Sequence, residues 1–394
     1  MITHPATKPP VSQATYTSHT PLPRERFDIR EVSLRSLDPI RFQRPFYDAT
    51  MGPFGEYRFS VLRITDESGF YGECEYPTDY IWMLKRFFIP ILLEGGRRSY
   101  QEMFKKMYWC IRNEGFRGAS GLVLGHIDKV FYDLAAKRAG LPVYRYLGGN
   151  NPRVSAYGSG GGNNLTGTAL EDELLRWEAE GYQTVKMKFG SERTTIREDV
   201  ERIARIREVL RPETQLAIDA NQFMELPRAL EFVKALEGLD IAWLEEPIHS
   251  AALHEIKELG EQSWVKIAYG ESERSAKVFP SLVAAGVTVL QPIAGSICSI
   301  EEWLDVVEMG AAHQLDLSCG GVSYFNCQFA AAAPTLVLQE FLEPLLSSLE
   351  ELFLVMPTIK NGAFLLSEEP GLGVQVDWER LEREKRVSGS QAWQ

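Results

Sequence analysis

From Phe27 to about Gly95 apolar and polar positions alternate, in FDIREVSL and then in YRFSVLRITDESGFYGECEY, where DESG reads as a turn between two strands. Residues 98–148 change to a helical period, including the amphipathic stretch GLVLGHIDKVFYDLAAKRAG. Strands followed by helices predict an α+β module over residues 27–151. After NNPRVSAYG the rhythm changes again. Short apolar runs (VSAY, TVKMKF, QLAID, IAWLE, VKIAYGE, VTVLQP, LDLS and a last one near LVLQEF) alternate with helical ones such as EDELLRWEAEG, PRALEFVKALEG and SIEEWLDVVEMGAAH. Seven or eight βα units in this span predict a parallel α/β structure, a (β/α)7β TIM-like barrel over 152–362. The tail, 363–394, carries GLGVQVDWERL and reads as a return to the first module, which would cap the barrel.

Residues 1–26 are rich in Pro, Thr and Ser and read as a flexible arm; they lack the apolar core of a secretory signal. No apolar run approaches the length of a membrane helix. The 54 acids against 42 bases, a formal charge of −12, argue against a nucleic-acid surface. They do not exclude an anionic substrate, because a bound cation inverts the local field. Five cysteines, an odd number without a CxxC pair, fit reduced thiols in a cytoplasmic protein rather than disulfides or a zinc site.

Three acids stand out by position. Asp219 in LAIDANQ, Glu245 in WLEEP and Glu271 in IAYGES each close an apolar run, and successive ones lie 26 residues apart. About that much chain makes one strand, turn, helix and return in a parallel repeat. Three neighbouring strands would then end in carboxylates at one rim. A single such acid is just as well a helix cap; three at one interval point to a metal site, and hard oxygen ligands suit Mg²⁺. One strand earlier, Lys186 and Lys188 are two residues apart and so share a face. Two ammonium groups beside a metal would depress one lysine toward a useful base, although a lysine pair can also simply face solvent. Asn221 is placed to orient water or substrate beside Asp219, or to make a turn. Glu246 should point away from its neighbour. The run YGSGGGNN (157–164) matches no phosphate-loop pattern and reads as a flexible loop rather than an anion cradle. A carboxylate substrate bound to such a metal has a more acidic α-proton, and lysine is a plausible base for it.

The lysine pair VKMK, then DAN, WLEEP and GES in that order, resembles the enolase superfamily, most of all its mandelate racemase branch. AAKRAGLPVYRYLGG and PGLGVQVD extend the resemblance over nearly the whole chain. It implies Asp219, Glu245 and Glu271 as Mg²⁺ ligands, Lys188 as the base on one face of the substrate, and Lys186 as a contact to the substrate carboxylate. It places Glu340, in LQEFLEP, where an acid hydrogen-bonds the enediolate. Cap loops around Arg44–Tyr57 and Glu73–Tyr80 would select the substrate, and a symmetric homo-oligomer such as an octamer is implied.

One part of the family pattern is missing. The branch carries a second base, a His on the seventh barrel strand supported by an Asp on the sixth. Ile293 and Gly320 stand at those places, and no lysine replaces them. His313 lies on the preceding helix, while Cys298, Cys319 and Asp316 read as structural. The Gly-Gly rim would leave room for a larger substrate or an extra water. These residues favour a Mg²⁺-dependent lyase working from one side: Lys188 removes a proton α to a carboxylate and a β-hydroxyl leaves, as in acid-sugar dehydration. The alternatives are a racemase or epimerase of a carboxylate, and a non-catalytic carboxylate binder. The implied partner is a small carboxylate, with neither nucleic acid nor membrane.

Overall fold

The computed structural model describes Pro23 and residues 25–394. Most of the arm expected over residues 1–26 lies outside the described residues. Eight parallel strands run in chain order from Arg153–Gly160 to Leu338–Leu342, and the last pairs with the first, so the barrel is closed. A helix follows each of the first seven strands. After the eighth comes only the short Glu343–Leu349.

Local sequence explains these elements. Thr195 caps helix Ile196–Val209 by accepting from the Glu198 N–H, and Glu198 returns a bond to the Thr195 N–H. Its partner strand, Gln215–Asp219, is apolar and buried after its first residue, as a strand covered on both faces must be. Tyr157, Ala217, Trp243, Ala268 and Val289, drawn from five strands, fill the barrel interior, where the Tyr157 and Trp243 rings meet edge to face at 5.6 Å.

The cap is a four-stranded antiparallel sheet ordered Val387–Trp393, Ile29–Leu37, Ser60–Asp66, Tyr71–Tyr76, so the tail pairs with the first long strand. Helix Ala119–Ala139 packs on this sheet and ends at Gly140, whose left-handed φ of 67° closes the last turn. Its amphipathic reading does not hold. His126, Asp128, Lys129 and Asp133 are all buried, because the helix is wedged between cap sheet and barrel rather than lying at the surface. Asp128 accepts from Tyr100 Oη and the Ile300 N–H; Asp133 accepts from the N–H groups of Glu73 and Leu372. Polar residues on that face join cap to barrel.

All five cysteines are free thiols. Among the described residues no helix is long and apolar enough to cross a membrane.

Candidate active site

The residues singled out by interval meet at the C-terminal rim of the barrel. Lys188, Asp219 and Glu245 are the last residues of three successive strands and stand side by side in register. Strands lie about 4.8 Å apart, so this register alone brings the three side chains together. The next strand stops at Tyr269, and Gly270 turns with φ 139° to carry Glu271 over the rim. A Cβ on Gly270 would meet the Gln291 backbone nitrogen at 2.9 Å, so the turn needs glycine.

Lys186 Nζ binds Glu245 Oε1 at 2.5 Å and lies 3.1 Å from Glu340 Oε1 and 3.6 Å from Asp219 Oδ2. Lys188 Nζ binds Asp219 Oδ2. The other oxygen of Glu245 accepts from Trp243 Nε1 at 3.0 Å and Gln291 Nε2 at 2.7 Å. Neither holder was foreseen. Trp243 is two residues before Glu245 and shares its face, a signal that was legible; Gln291 carried no signal of its own. Asn221 donates its N–H to Asp219 Oδ1 at 2.8 Å, and its buried Oδ1 has no partner among the described residues. The side chain of Glu246 is turned to Gln222 Nε2 and Ser272 Oγ, each at 2.8 Å, rather than to a cation.

Asp219, Glu245, Glu271 and Glu340 face two lysines, and the excess of negative charge shows in the titration of Glu271 and Glu245. Burial pushes Glu271 well above the ordinary range, and Glu246, Glu245 and Asp219 add to it. Burial and then Asp219 raise Glu245. For Asp219 burial pushes up but Lys188 and Lys186 outweigh it, leaving it at about 2. The charges present hold neither lysine down: for Lys188, burial and Lys186 pull down, but Asp219 outweighs them and holds it above its usual value. Lys186 is likewise held well above its usual value, because Glu245 and Glu340 overcome burial.

Among the described residues no three His, Cys, Asp or Glu side chains already close a metal shell. The ammonium groups of Lys186 and Lys188 sit on two of the three acids instead. The donor set nonetheless suits a hard divalent cation: carboxylates at three neighbouring strand ends, Asp219 and Glu245 buried and Glu271 partly so, in excess over the lysines, with the orphaned Asn221 oxygen beside them.

Where the second base is missing, Gly320 lies against Glu340. A Cβ there would stand 2.5 Å from Glu340 Oε2, so the carboxylate fills the space beside Gly320 itself. Ile293 lies against Gly321, whose Cβ would meet Ile293 Cγ2 at 2.9 Å. Asp316 begins its strand at the opposite rim, exposed and paired with Lys266 at 2.5 Å. His313 caps the helix before that strand. Cys298 and Cys319 are buried, and burial pushes both thiols up.

The glycine-rich run is part of the scaffold. Gly158 and Gly160 lie in the first barrel strand, where a Cβ would strike Trp177, and the Gly161 N–H donates to Glu173 Oε1. Asn163 Nδ2 donates to the oxygens of Asp48 and Gly190, and Asn164 Nδ2 to Pro45 O, tying the cap hairpin to the barrel. That hairpin strand, Ile40–Phe46, places the Phe46 ring 5.9 Å from Lys188 Nζ.

A family model described as enolase C-terminal domain-like matches residues 169–380. The chain is similar to the 3,6-anhydro-alpha-L-galactonate cycloisomerase of Streptomyces coelicolor, at 26% identity over 85% of this chain and 94% of that one. It is 28% identical to the arabinonate dehydratase of Saccharolobus solfataricus, over 74% of this chain and 80% of that one. A crystal structure of a racemase from Streptomyces coelicolor with bound magnesium superimposes with a TM-score of 0.81 at 25% identity, covering 91% of this chain and 99% of the other.

Proposed function

The chain belongs to the enolase C-terminal domain-like family, and on that premise we propose that it is a Mg²⁺-dependent acid-sugar dehydratase in which Lys188 takes the proton α to the carboxylate. One observation carries this reading: a buried lysine pair on one strand, with Asp219, Glu245 and Glu271 on the next three strand ends. Those three acids would hold Mg²⁺, which when bound acts as a Lewis acid on a carboxylate and acidifies the neighbouring C–H.

Lys188 is the base. Of the forces on its ammonium group, the attraction of Asp219 holds the proton, while burial and Lys186 favour its loss. Lys186, two residues deeper, donates to the substrate carboxylate. Glu340, bound to Lys186 from two strands away, hydrogen-bonds the enediolate. Trp243 and Gln291 fix Glu245 so that it does not swing away. Phe46 covers Lys188 and keeps water from the base. As the β C–O bond breaks, the hydroxide leaves with the proton Lys188 collected, giving water and an enol that becomes a 2-keto-3-deoxy acid. One base is enough for this sequence.

The cycloisomerase relative favours a second reading, in which Lys188 starts an isomerisation instead. Incubation with Mg²⁺ and a panel of acid sugars in D₂O tests both. A 2-keto-3-deoxy product carrying deuterium at C3 supports dehydration, and deuterium at the α-carbon of an isomeric product supports the alternative. Neither product nor exchange with any acid that binds would sink both.

A further inference from the structure

A second cluster of buried charged groups lies across Gly320 from the lysine pair, and the function above makes no use of it. Lys129, on the long cap helix, binds Glu75 Oε1 and donates to Asn326 Oδ1 at 2.9 Å. Asn326 Nδ2 in turn donates to Gly320 O at 3.1 Å, and Gly320 is the residue pressed against Glu340. One short relay therefore joins this cluster to the active-site wall. Beside this cluster opens a cavity of about 160 Å³, bounded by Tyr57, Glu75 and His126 of the cap and by Ile293, Gly321 and Asn326 of the barrel.

Its polar wall is rich in acceptors. Glu75 is 4% exposed, and its Oε2 has no hydrogen-bond partner among the described residues. A buried oxygen left in that state carries the full cost of desolvation, which a ligand donor would relieve. His126 Nδ1 lies 2.8 Å from Leu122 O, so in the neutral ring that nitrogen carries the hydrogen and Nε2 is left as a bare acceptor, 3.8 Å from Glu75 Oε1. Burial, then Lys129, push the His126 ring down to about 3, which keeps it neutral. Lys129, the cation of this cluster, is already engaged by Glu75 and Asn326. A second substrate carboxylate placed here would sit beside Glu75 as a like charge in a buried site. A hydroxyl would find two acceptors.

We infer that this cavity receives the end of the substrate remote from its reacting carboxylate, and that this end is a neutral hydroxylated carbon rather than a second acid group. The substrate class is thus a polyhydroxy monocarboxylate. This rests on the proposed function, but its test is separable from it.

Mg²⁺-loaded protein is offered stereochemically matched pairs of acid sugars that differ only at the far carbon, hydroxymethyl against carboxylate, such as galactonate and galactarate. Turnover and calorimetric binding are both measured. The monoacid is expected to lead by about tenfold or more in kcat/KM and in affinity. A diacid that equals or exceeds its partner overturns the inference while leaving the dehydratase reading intact. If no acid is dehydrated or exchanges its α-proton, the dehydratase reading fails, and the affinity ratio still decides the inference. Glu75→Gln frees Lys129 and should narrow or reverse the preference. Because that change may unfold the cap, His126→Gln serves as the second variant: KM for the monoacid should rise about tenfold with kcat little changed, and an unchanged KM overturns the assignment.

Discussion

Two buried lysine–carboxylate clusters flank Gly320, and they differ in charge balance. On the barrel side Lys186 and Lys188 face Asp219, Glu245, Glu271 and Glu340; on the cap side Lys129 faces Glu75 beside a neutral His126. The first cluster is short of positive charge, as a site designed around an added cation should be. The second is balanced and lacks only hydrogen-bond donors. Two groups of similar composition and burial are thereby suited to different ligands, a divalent ion in one case and a hydroxyl in the other. Composition alone does not separate them; the ratio of acids to bases within reach does.

Variants should reveal that difference, with the largest effect at the base. Lys188→Ala should lower α-proton exchange by about 10³-fold or more, with an unchanged circular dichroism spectrum; exchange near the wild-type rate would assign the base elsewhere. Lys129→Met leaves Glu75 buried without its partner and should cost about 3–5 kcal/mol in urea unfolding. A loss under 1 kcal/mol there would show that Glu75 is neutral and the cap cluster no ion pair. Mg²⁺ at about 100 times its dissociation constant should add about 2.7 kcal/mol to stability, read as a rise in Tm. Glu271→Gln should abolish that rise while His126→Gln keeps it; equal rises in both would break the assignment of the cation to the barrel cluster.

The smallest effect concerns pH. His126 has an ordinary value of 6.5 when unfolded and about 3 when folded. As pH falls through 6.5 the unfolded chain takes up a proton that the folded chain refuses, so stability is complete above that pH and is lost progressively toward 3. Between pH 7.5 and about 5 the wild type should lose about 2 kcal/mol more than His126→Gln. Parallel losses would mean that the ring is already charged or solvated in the folded state.

The barrel and the acids on its rim were legible because one physical fact served both. A strand covered on both faces is an uninterrupted apolar run, so the polar residue that ends it marks the rim, and the 26-residue interval from Asp219 to Glu245 to Glu271 sets three such ends side by side. The glycine run misled, since a string of small residues looks the same whether it is loose or pressed against Trp177. The long cap helix misled for a related reason. Periodicity reports which residues are polar, not whether something else covers them, and Asp128, Lys129 and Asp133 are covered. The gap at Ile293 and Gly320 was seen, but its explanation was not. Glu340 fills the space beside Gly320 from a strand that begins 18 residues further along, and such a contact leaves no local trace.

The pairing of Val387–Trp393 with Ile29–Leu37 has a consequence for biosynthesis. A ribosome releases those residues only after the whole barrel, so the barrel can close on the nascent polypeptide while the cap sheet still lacks its outer strand. Competence for chemistry therefore trails barrel closure, and a translation product that stops short of residue 387 would have its rim acids assembled under an incomplete roof.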